Sequence, residues 1–118
     1  MVLDRIRHVR DLKQSGHAAH TFVSFEPLLG LLPDDLDLTG IDWAYVGGES
    51  RQKRQAPRAM DPAWARRVRD LLINHGIPFL FKQWGDPSNN PDPVNDPSFN
   101  GDPHGKCQMD GDFFDWCP

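Results

Sequence analysis

The sequence predicts an α/β fold, in which a three-stranded, mainly parallel sheet with flanking helices precedes a long irregular C-terminal tail. Three short runs, TFVSFE, WAYV and IPFLFKQ, have the apolar and aromatic composition of buried strands. Helical periodicity precedes the first run and separates the second from the third. Because strands that alternate with helices favour a parallel sheet, we expect the three strands to run in the same direction. Three strands make a thin sheet, which suggests part of a larger barrel or wound sheet.

The N-terminal part is predicted to contain a helix, a strand and a loop. The helix covers residues 2–14 and ends before Gly16. Its apolar side chains recur at helical spacing and are Val2, Ile6, Val9 and Leu12. The strand covers residues 21–26 and ends at Pro27. Residues 28–38 alternate between apolar and acidic positions, which predicts a loop with at most one helical turn.

The second predicted helix has a clear start and a clear end. Asp61 is a suitable N-cap, and Pro62 fits the first helical position because its missing N–H is not needed there. Gly76 is a plausible C-cap. The apolar stripe of this helix is Trp64, Val68, Leu71 and Leu72. Strands 43–46 and 77–83 flank it, and the latter is nearly continuously apolar, which is typical of strands covered by helices on both faces.

Charge and composition divide the chain into two regions. The net charge is −4, but residues 1–85 carry 12 basic and 10 acidic side chains, whereas residues 86–118 carry one lysine and seven aspartates. The second region is also rich in Pro, Asn and Gly, so it buries little apolar surface. We therefore expect an α/β domain over residues 1–85, with residues 86–118 as a loop and tail that packs on it or trails from it.

The sequence offers no sign of export or membrane insertion. It contains no apolar run of 18 residues, and its charged N-terminus does not resemble a signal peptide. We expect a cytoplasmic protein. Its two cysteines, Cys107 and Cys117, are expected to be reduced in that compartment, although one disulfide bond between them is conceivable.

Polar side chains lie at the ends of all three predicted strands, and two glycines follow the second. In parallel sheets, the carboxyl ends of the strands meet at one edge, where ligands commonly bind. Two carboxylates and a lysine together can bind an amine or a polar base, or do acid–base chemistry. The alternative is that strand ends simply become polar as they reach solvent. The ligand-binding candidates are Glu26, Gly47, Gly48, Glu49, Lys82 and Gln83.

Aromatic and basic residues near these strand ends allow two interpretations each. Trp84 is a further ligand-binding candidate because its ring can stack on a planar base, but such a tryptophan more often belongs to the core. A basic loop precedes the second helix, and it either contacts phosphates or is merely solvated. The phosphate-contact candidates are Arg51, Lys53, Arg54 and Arg58.

The spacing of potential metal ligands argues against zinc. His104, Cys107 and Cys117 supply three soft ligands, whereas structural zinc sites need four and usually show paired short spacings. We predict no metal site. The sequence also lacks a P-loop and an evident nucleophilic triad, so no catalytic residue is assigned.

Several strings resemble one known family. They are FVSFEPLLG (22–30), GIDWAYVGGES (40–50), MDPAWARRVRDLL (60–72), GIPFLFKQWG (76–85) and CQMDGDFFDWCP (107–118). Together they resemble a phage- and prophage-associated family of unassigned activity, whose members look like radical S-adenosylmethionine proteins. The resemblance implies a partial (β/α) barrel of which this chain is the C-terminal half. It also implies that the candidates at the strand ends, Trp84 included, line the cofactor and substrate side.

The chain lacks the feature on which the chemistry of that family depends. Relatives would hold an iron–sulfur cluster in an N-terminal loop with three closely spaced cysteines, and this sequence contains no such loop. We therefore expect neither an iron–sulfur cluster nor S-adenosylmethionine in this chain alone.

Three hypotheses of function follow. The first is a truncated relative that binds a protein partner, a complementary half or a second copy of itself. The second is the C-terminal half of a split radical S-adenosylmethionine enzyme that needs a separate cluster-bearing half. The third is a small nucleotide or nucleic-acid binding protein that uses the basic loop and Trp84.

Overall fold

The computed structural model describes residues 2–50, 52–85, 89, 91, 108–109 and 112–113. Within these ranges the chain forms two helices and five strands. The order along the chain is α1 (Val2–Gln14), β1 (Phe22–Phe25), β2 (Trp43–Gly47), α2 (Pro62–Asn74), β3 (Phe79–Gln83), β4 (Gln108–Met109) and β5 (Asp112–Phe113).

The first three strands form one sheet in the order β1-β2-β3, and both strand pairs are parallel. This confirms the predicted α/β class and the common direction of the strands. The first and third strands are shorter than predicted, and the second is one residue longer. Pro78 precedes β3, where its carbonyl accepts a hydrogen bond from Ala44 N at 3.1 Å.

The second helix begins and ends as the sequence predicts. Asp61 adopts an extended backbone conformation, and its Oδ1 accepts a hydrogen bond from Ala63 N at 2.8 Å. Pro62 is the first helical residue, and Gly76 follows the C-cap with a φ of +66°. A positive φ is easily adopted by glycine, which explains why the helix stops there.

The sheet and both helices share one hydrophobic core. It includes Ile6 of α1 and Val68 of α2. The sheet contributes Phe25, Ala44, Val46, Phe79 and Phe81, which the strand register and the two-residue alternation place on one face. We call this side of the sheet the core face. Both helices therefore pack on the core face, and the expectation of helices on both faces of β3 is not met by the described residues.

The buried stripes of the two helices differ in detail from those predicted. Ala65 is fully buried in α2, whereas Trp64 is only partly buried and packs against the rim of the core. In α1 the buried contact is made by Ile6 and supported by Val9, while Leu12 is 50% exposed. Helical spacing therefore identified the correct side of each helix. It overestimated the extent of the buried surface in α1, and in α2 it missed Ala65.

The segment between β1 and β2 contains no helix, and the prediction of a loop is correct. Four apolar side chains of this segment, Leu28, Leu36, Leu38 and Ile41, are buried in the core. Asp42 then joins the loop to α1 and β1, because its carboxylate accepts hydrogen bonds from Lys13 Nζ at 2.5 Å and Thr21 N at 2.7 Å. The hydrogen bond from Lys13 is the main reason why the pKa of Asp42 lies below its usual value, and the bond from Thr21 N adds to this effect.

The last two strands form a separate antiparallel pair, in which Gln108 lies opposite Phe113. The sequence predicted irregular structure throughout residues 86–118, and it did not predict this short strand pair. The other predictions for residues 86–118 fall outside the described residues. The division into regions 1–85 and 86–118 stays a prediction. In the described part of the chain, no helix is both long and apolar enough to cross a membrane.

Candidate functional site

Polar side chains from two strand ends meet at the carboxyl edge of the sheet. Glu26 directly follows β1, and its Oε2 accepts a hydrogen bond from Lys82 Nζ of β3 at 2.8 Å. Its Oε1 accepts a second, longer bond from Gln83 Nε2 at 3.3 Å. Glu26 and Lys82 are 56 positions apart in the sequence, and the parallel arrangement of the strands brings them together, as the sequence analysis expected.

The Glu26–Lys82 contact spans the middle strand at Gly47. A β-carbon built at Gly47 would lie 3.4 Å from Cδ of Glu26, so the missing side chain leaves the space that Glu26 occupies. The strand register shifts at the same place: Val46 pairs with Phe81 but Gly47 pairs with Gln83. Such a bulge re-aims side chains at the end of a strand.

Ser50 completes this group and was not among the residues singled out from the sequence. Gln83 Nε2 donates to Ser50 Oγ at 3.0 Å, and Gln83 Oε1 accepts from Gly85 N at 2.6 Å. Its position could have identified it, because its hydroxyl group directly follows the Gly-Gly-Glu motif in the sequence. We call Glu26, Ser50, Lys82 and Gln83 the carboxyl-edge cluster.

Glu49 lies at the same edge, but its carboxylate binds a different partner. Arg58 donates to it from its backbone N at 2.7 Å, from Nε at 3.1 Å and from a terminal guanidinium nitrogen at 2.6 Å. The side-chain hydrogen bonds of Arg58 are the main reason why the pKa of Glu49 falls to about 2. The expected grouping of Glu26, Glu49 and Lys82 is therefore only partly formed, since Glu49 instead anchors the following loop.

Gly48 and Trp84 form a tightly packed contact below this edge. Trp84 is only 2% exposed, and its ring packs edge-on against Phe81 with centroids 4.8 Å apart. A β-carbon at Gly48 would overlap the carbonyl group of Trp84, so the two backbones approach each other closely. This burial favours the core interpretation of Trp84 over stacking on a ligand.

The basic residues are spread over several ion pairs and do not form one patch in the described structure. Arg58 binds Glu49, while Lys53 and Arg54 are exposed. Arg51 lies outside the described residues. On α2, Arg67 pairs with Asp34 and Arg69 pairs with Asp70. The list of phosphate-contact candidates thus includes one arginine that is already engaged by a carboxylate.

The described residues contain no group of three or more His, Cys, Asp or Glu side chains suited to hold a metal ion. The potential zinc ligands discussed above lie outside these residues and are His104, Cys107 and Cys117. The absence of a zinc site among them therefore stays a prediction from the sequence.

The side of the sheet opposite the core face carries an aromatic surface. The strand register places Phe22 opposite Trp43, and Tyr45 opposite both Ser24 and Leu80. We call these five residues the open face. The rings of Phe22 and Trp43 stack with centroids 5.5 Å apart, and Phe22 meets Tyr45 edge-on at 5.7 Å. Phe22 is nevertheless 52% exposed, and Trp43, Tyr45 and Leu80 are only partly buried.

The carboxyl-edge cluster and the open face are adjacent. Glu26 continues the row of β1 side chains that contains Phe22 and Ser24, because side chains alternate along a strand. The cluster offers a carboxylate, an ammonium group, an amide and a hydroxyl to a polar ligand, and the open face offers an apolar floor. The side chain of Lys82 is 42% exposed, so the cluster is accessible to solvent.

Comparison with curated proteins and with solved structures gave no match. A family model described as "Protein of unknown function (DUF5131)" matches residues 2–118. The chain therefore belongs to this family, DUF5131, which has no assigned function.

Proposed function

We propose that this chain is a binding module that associates through its open face with a second copy of itself. The observation that carries this proposal is the exposed aromatic surface on a parallel sheet. Parallel sheets are almost always covered on both faces, and here both described helices pack on the core face. An exposed apolar surface of this kind commonly marks a site of association.

The charges beside the open face are compatible with a second copy as the partner. A two-fold symmetric contact brings the same surface against itself, so a net charge on that surface would repel its copy. At the border of the open face, Glu26 and Lys82 form an ion pair and neutralise each other. Two sheets can then pack face to face with interdigitating side chains.

The test is the solution mass of the full chain measured by light scattering over a range of about 1–100 µM, where weak dimers dissociate. We expect a dimer at the upper end. Phe22→Glu should convert it to a monomer, because the substitution places a carboxylate on each copy at the contact. Ile73→Glu is the matched control, because Ile73 is 54% exposed on α2, which packs on the opposite side of the sheet.

Two results would contradict self-association. The first is a monomer at every concentration tested. The second is an equal loss of mass in Phe22→Glu and Ile73→Glu. A monomer in which residues 86–118 protect Phe22 from solvent would assign the open face to the chain itself.

The second candidate function is the C-terminal half of a split radical S-adenosylmethionine enzyme. The carboxyl-edge cluster supports it, because α/β proteins place their ligands at this edge of the sheet. Its cofactors would be bound by the combined protein, with the cluster-ligating cysteines on the other half. Co-expression with a chain that carries the three-cysteine loop should yield a brown, iron-containing complex, and a colourless preparation from which the two chains separate would exclude it.

The nucleotide or nucleic-acid hypothesis receives no specific support from the described residues. Arg58 is engaged by Glu49, and the ring of Trp84 is buried. We therefore do not propose it. The cytoplasmic location stays a prediction from the sequence.

A further inference from the structure

A groove runs along the free edge of β1 and borders both the open face and the carboxyl-edge cluster. It consists of two cavities of 110 and 340 Å³ that share Arg5 and Ser24. The smaller cavity lies between α1 and β1, and its lining includes Ile6, Val9 and Val23. The larger cavity continues past the end of β1 to residues 26–32. We call the two cavities together the β1 groove.

The backbone of β1 is available for hydrogen bonding on the side that faces the groove. In the described sheet, β1 is an edge strand that pairs only with β2. In such a strand, every second residue directs its N–H and C=O groups away from the neighbouring strand. These groups can pair with another extended chain, which then lengthens the sheet by one strand.

The side chains of the groove favour one kind of extended chain. Ile6 is buried, and Val9 and Val23 are partly buried against the core, so they form an apolar floor. Arg5 lies where the two cavities meet and is exposed. Among the described residues it has neither an ion pair nor a hydrogen bond within the chain. A segment with apolar side chains and one carboxylate would match this surface in shape and in charge.

We infer that the β1 groove binds an extended segment of a partner protein, which adds a strand beside β1 and places an acidic side chain against Arg5. The groove shares Phe22 and Ser24 with the open face and Glu26 with the carboxyl-edge cluster. The bound segment nevertheless pairs with the main chain at the edge of the sheet, whereas self-association uses the surface of the sheet. Main-chain hydrogen bonds to β1 supply the affinity, and the apolar floor and Arg5 supply the specificity.

The probes are two sets of short fluorescent peptides built from alternating threonine and valine. One set carries a single glutamate at each position in turn, and the other carries a lysine at the same positions. Binding to the full chain is measured by fluorescence anisotropy. We expect the best glutamate peptide to bind at least about tenfold more tightly than its lysine counterpart, because Arg5 attracts the carboxylate and repels the ammonium group.

Charge reversal on the protein provides the control. Arg5→Glu should reverse the preference so that the lysine peptide binds more tightly. Arg7→Glu is the matched variant, because Arg7 is also exposed on α1 but lines a different cavity with Arg10, Asp35 and Asp37. It should leave the preference for the glutamate peptide unchanged. Both positions are exposed, so neither substitution is expected to disturb folding.

Strand addition has a direct signature in amide hydrogen exchange. The bound peptide should slow the exchange of the outward amides in residues 22–25 and leave β3, the other edge strand, unaffected. The inference is overturned if no peptide of either set binds at about 1 mM, a concentration that detects even weak peptide binding. It is also overturned if Arg5→Glu and Arg7→Glu behave alike, or if protection appears at β3. Phe22 lines the groove as well as the open face, so the variants of Arg5 and Arg7, rather than Phe22→Glu, separate this inference from self-association. Reversal of the peptide preference and loss of the dimer are measured independently, so the two proposals can fail independently.

Discussion

The core face and the open face are made by the same three strands, yet only the core face is covered by the described helices. Both faces carry large apolar side chains: Phe81 on the core face is fully buried, whereas Phe22 on the open face is half exposed. The difference shows that the apolar content of a strand does not reveal which of its faces the same chain covers. It also identifies the open face as the surface from which association is to be expected.

The largest expected effect tests whether side chains on the two faces differ in their contribution to the free energy of unfolding as they do in exposure. Phe81→Ala removes a ring that is 0% exposed in the core, and it should lower the free energy of unfolding by about 3–5 kcal/mol. Phe22→Ala should cost about 1 kcal/mol or less, mostly through lost contact with Trp43. Denaturant unfolding at low protein concentration measures both. Equal losses would mean that the open face is structurally a second core.

The arrangement of the sheet was predictable because its signals are local. Pro27, Asp61, Pro62 and Gly76 mark the ends of elements through their own backbone chemistry, and apolar runs between them mark the strands. The Glu26–Lys82 contact also followed, since parallel strands necessarily bring their carboxyl ends to one edge. The sequence therefore predicts the architecture of the sheet and, in the candidate site, the contact between Glu26 and Lys82.

The rest of the site depends on the paths of the connecting segments, which local signals do not determine. Glu49 binds Arg58 because the loop between them turns back on itself. Trp84 is buried because the chain after β3 passes close to Gly48. Ser50 joins the cluster only because Gln83 reaches it from another strand. Each of these contacts joins residues whose proximity no spacing rule predicts.

The next effect uses two neighbouring glycines at the end of β2, Gly47 in its last position and Gly48 directly after it, which lie beside different faces. Gly48→Ala should cost about 2–3 kcal/mol, because the new methyl group overlaps the backbone of Trp84, which cannot move as a flexible side chain can. Gly47→Ala should cost less than about 1 kcal/mol, since its methyl group would only contact the side chain of Glu26. Thermal unfolding compares the two variants. A larger cost at Gly47 than at Gly48 would show that the tight contact is the one with Glu26 and not the one with the backbone of Trp84.

A smaller effect concerns the helix that covers the core face. Asp61→Ala removes the oxygen that accepts a hydrogen bond from Ala63 N, and it should destabilise the protein by about 1 kcal/mol. Asp61→Asn should restore most of this loss, because its amide oxygen can cap the helix in the same way. Asp70→Ala, an exposed position within α2, is the control and should change stability by less than about 0.5 kcal/mol. A loss at Asp70 equal to that at Asp61 would show that charge on α2, rather than the cap, matters.

The smallest expected effect lies at the carboxyl edge, where Glu49 holds the loop through Arg58. Because the pKa of Glu49 is lowered to about 2, its ionised form is favoured in the folded state. The stabilisation is therefore complete above the ordinary pKa of 4.5 and is lost as the pH falls from there towards 2. Arg58→Gln should raise the pKa of Glu49 towards its ordinary value, whereas Lys53→Gln should leave it unchanged. A titration of the ¹³C shift of the carboxyl group measures this pKa directly. If it stayed low in Arg58→Gln, the side chain of Arg58 would not be the group that favours the carboxylate. The backbone N–H of residue 58, which also donates to Glu49, would then be the group that holds the loop at this edge.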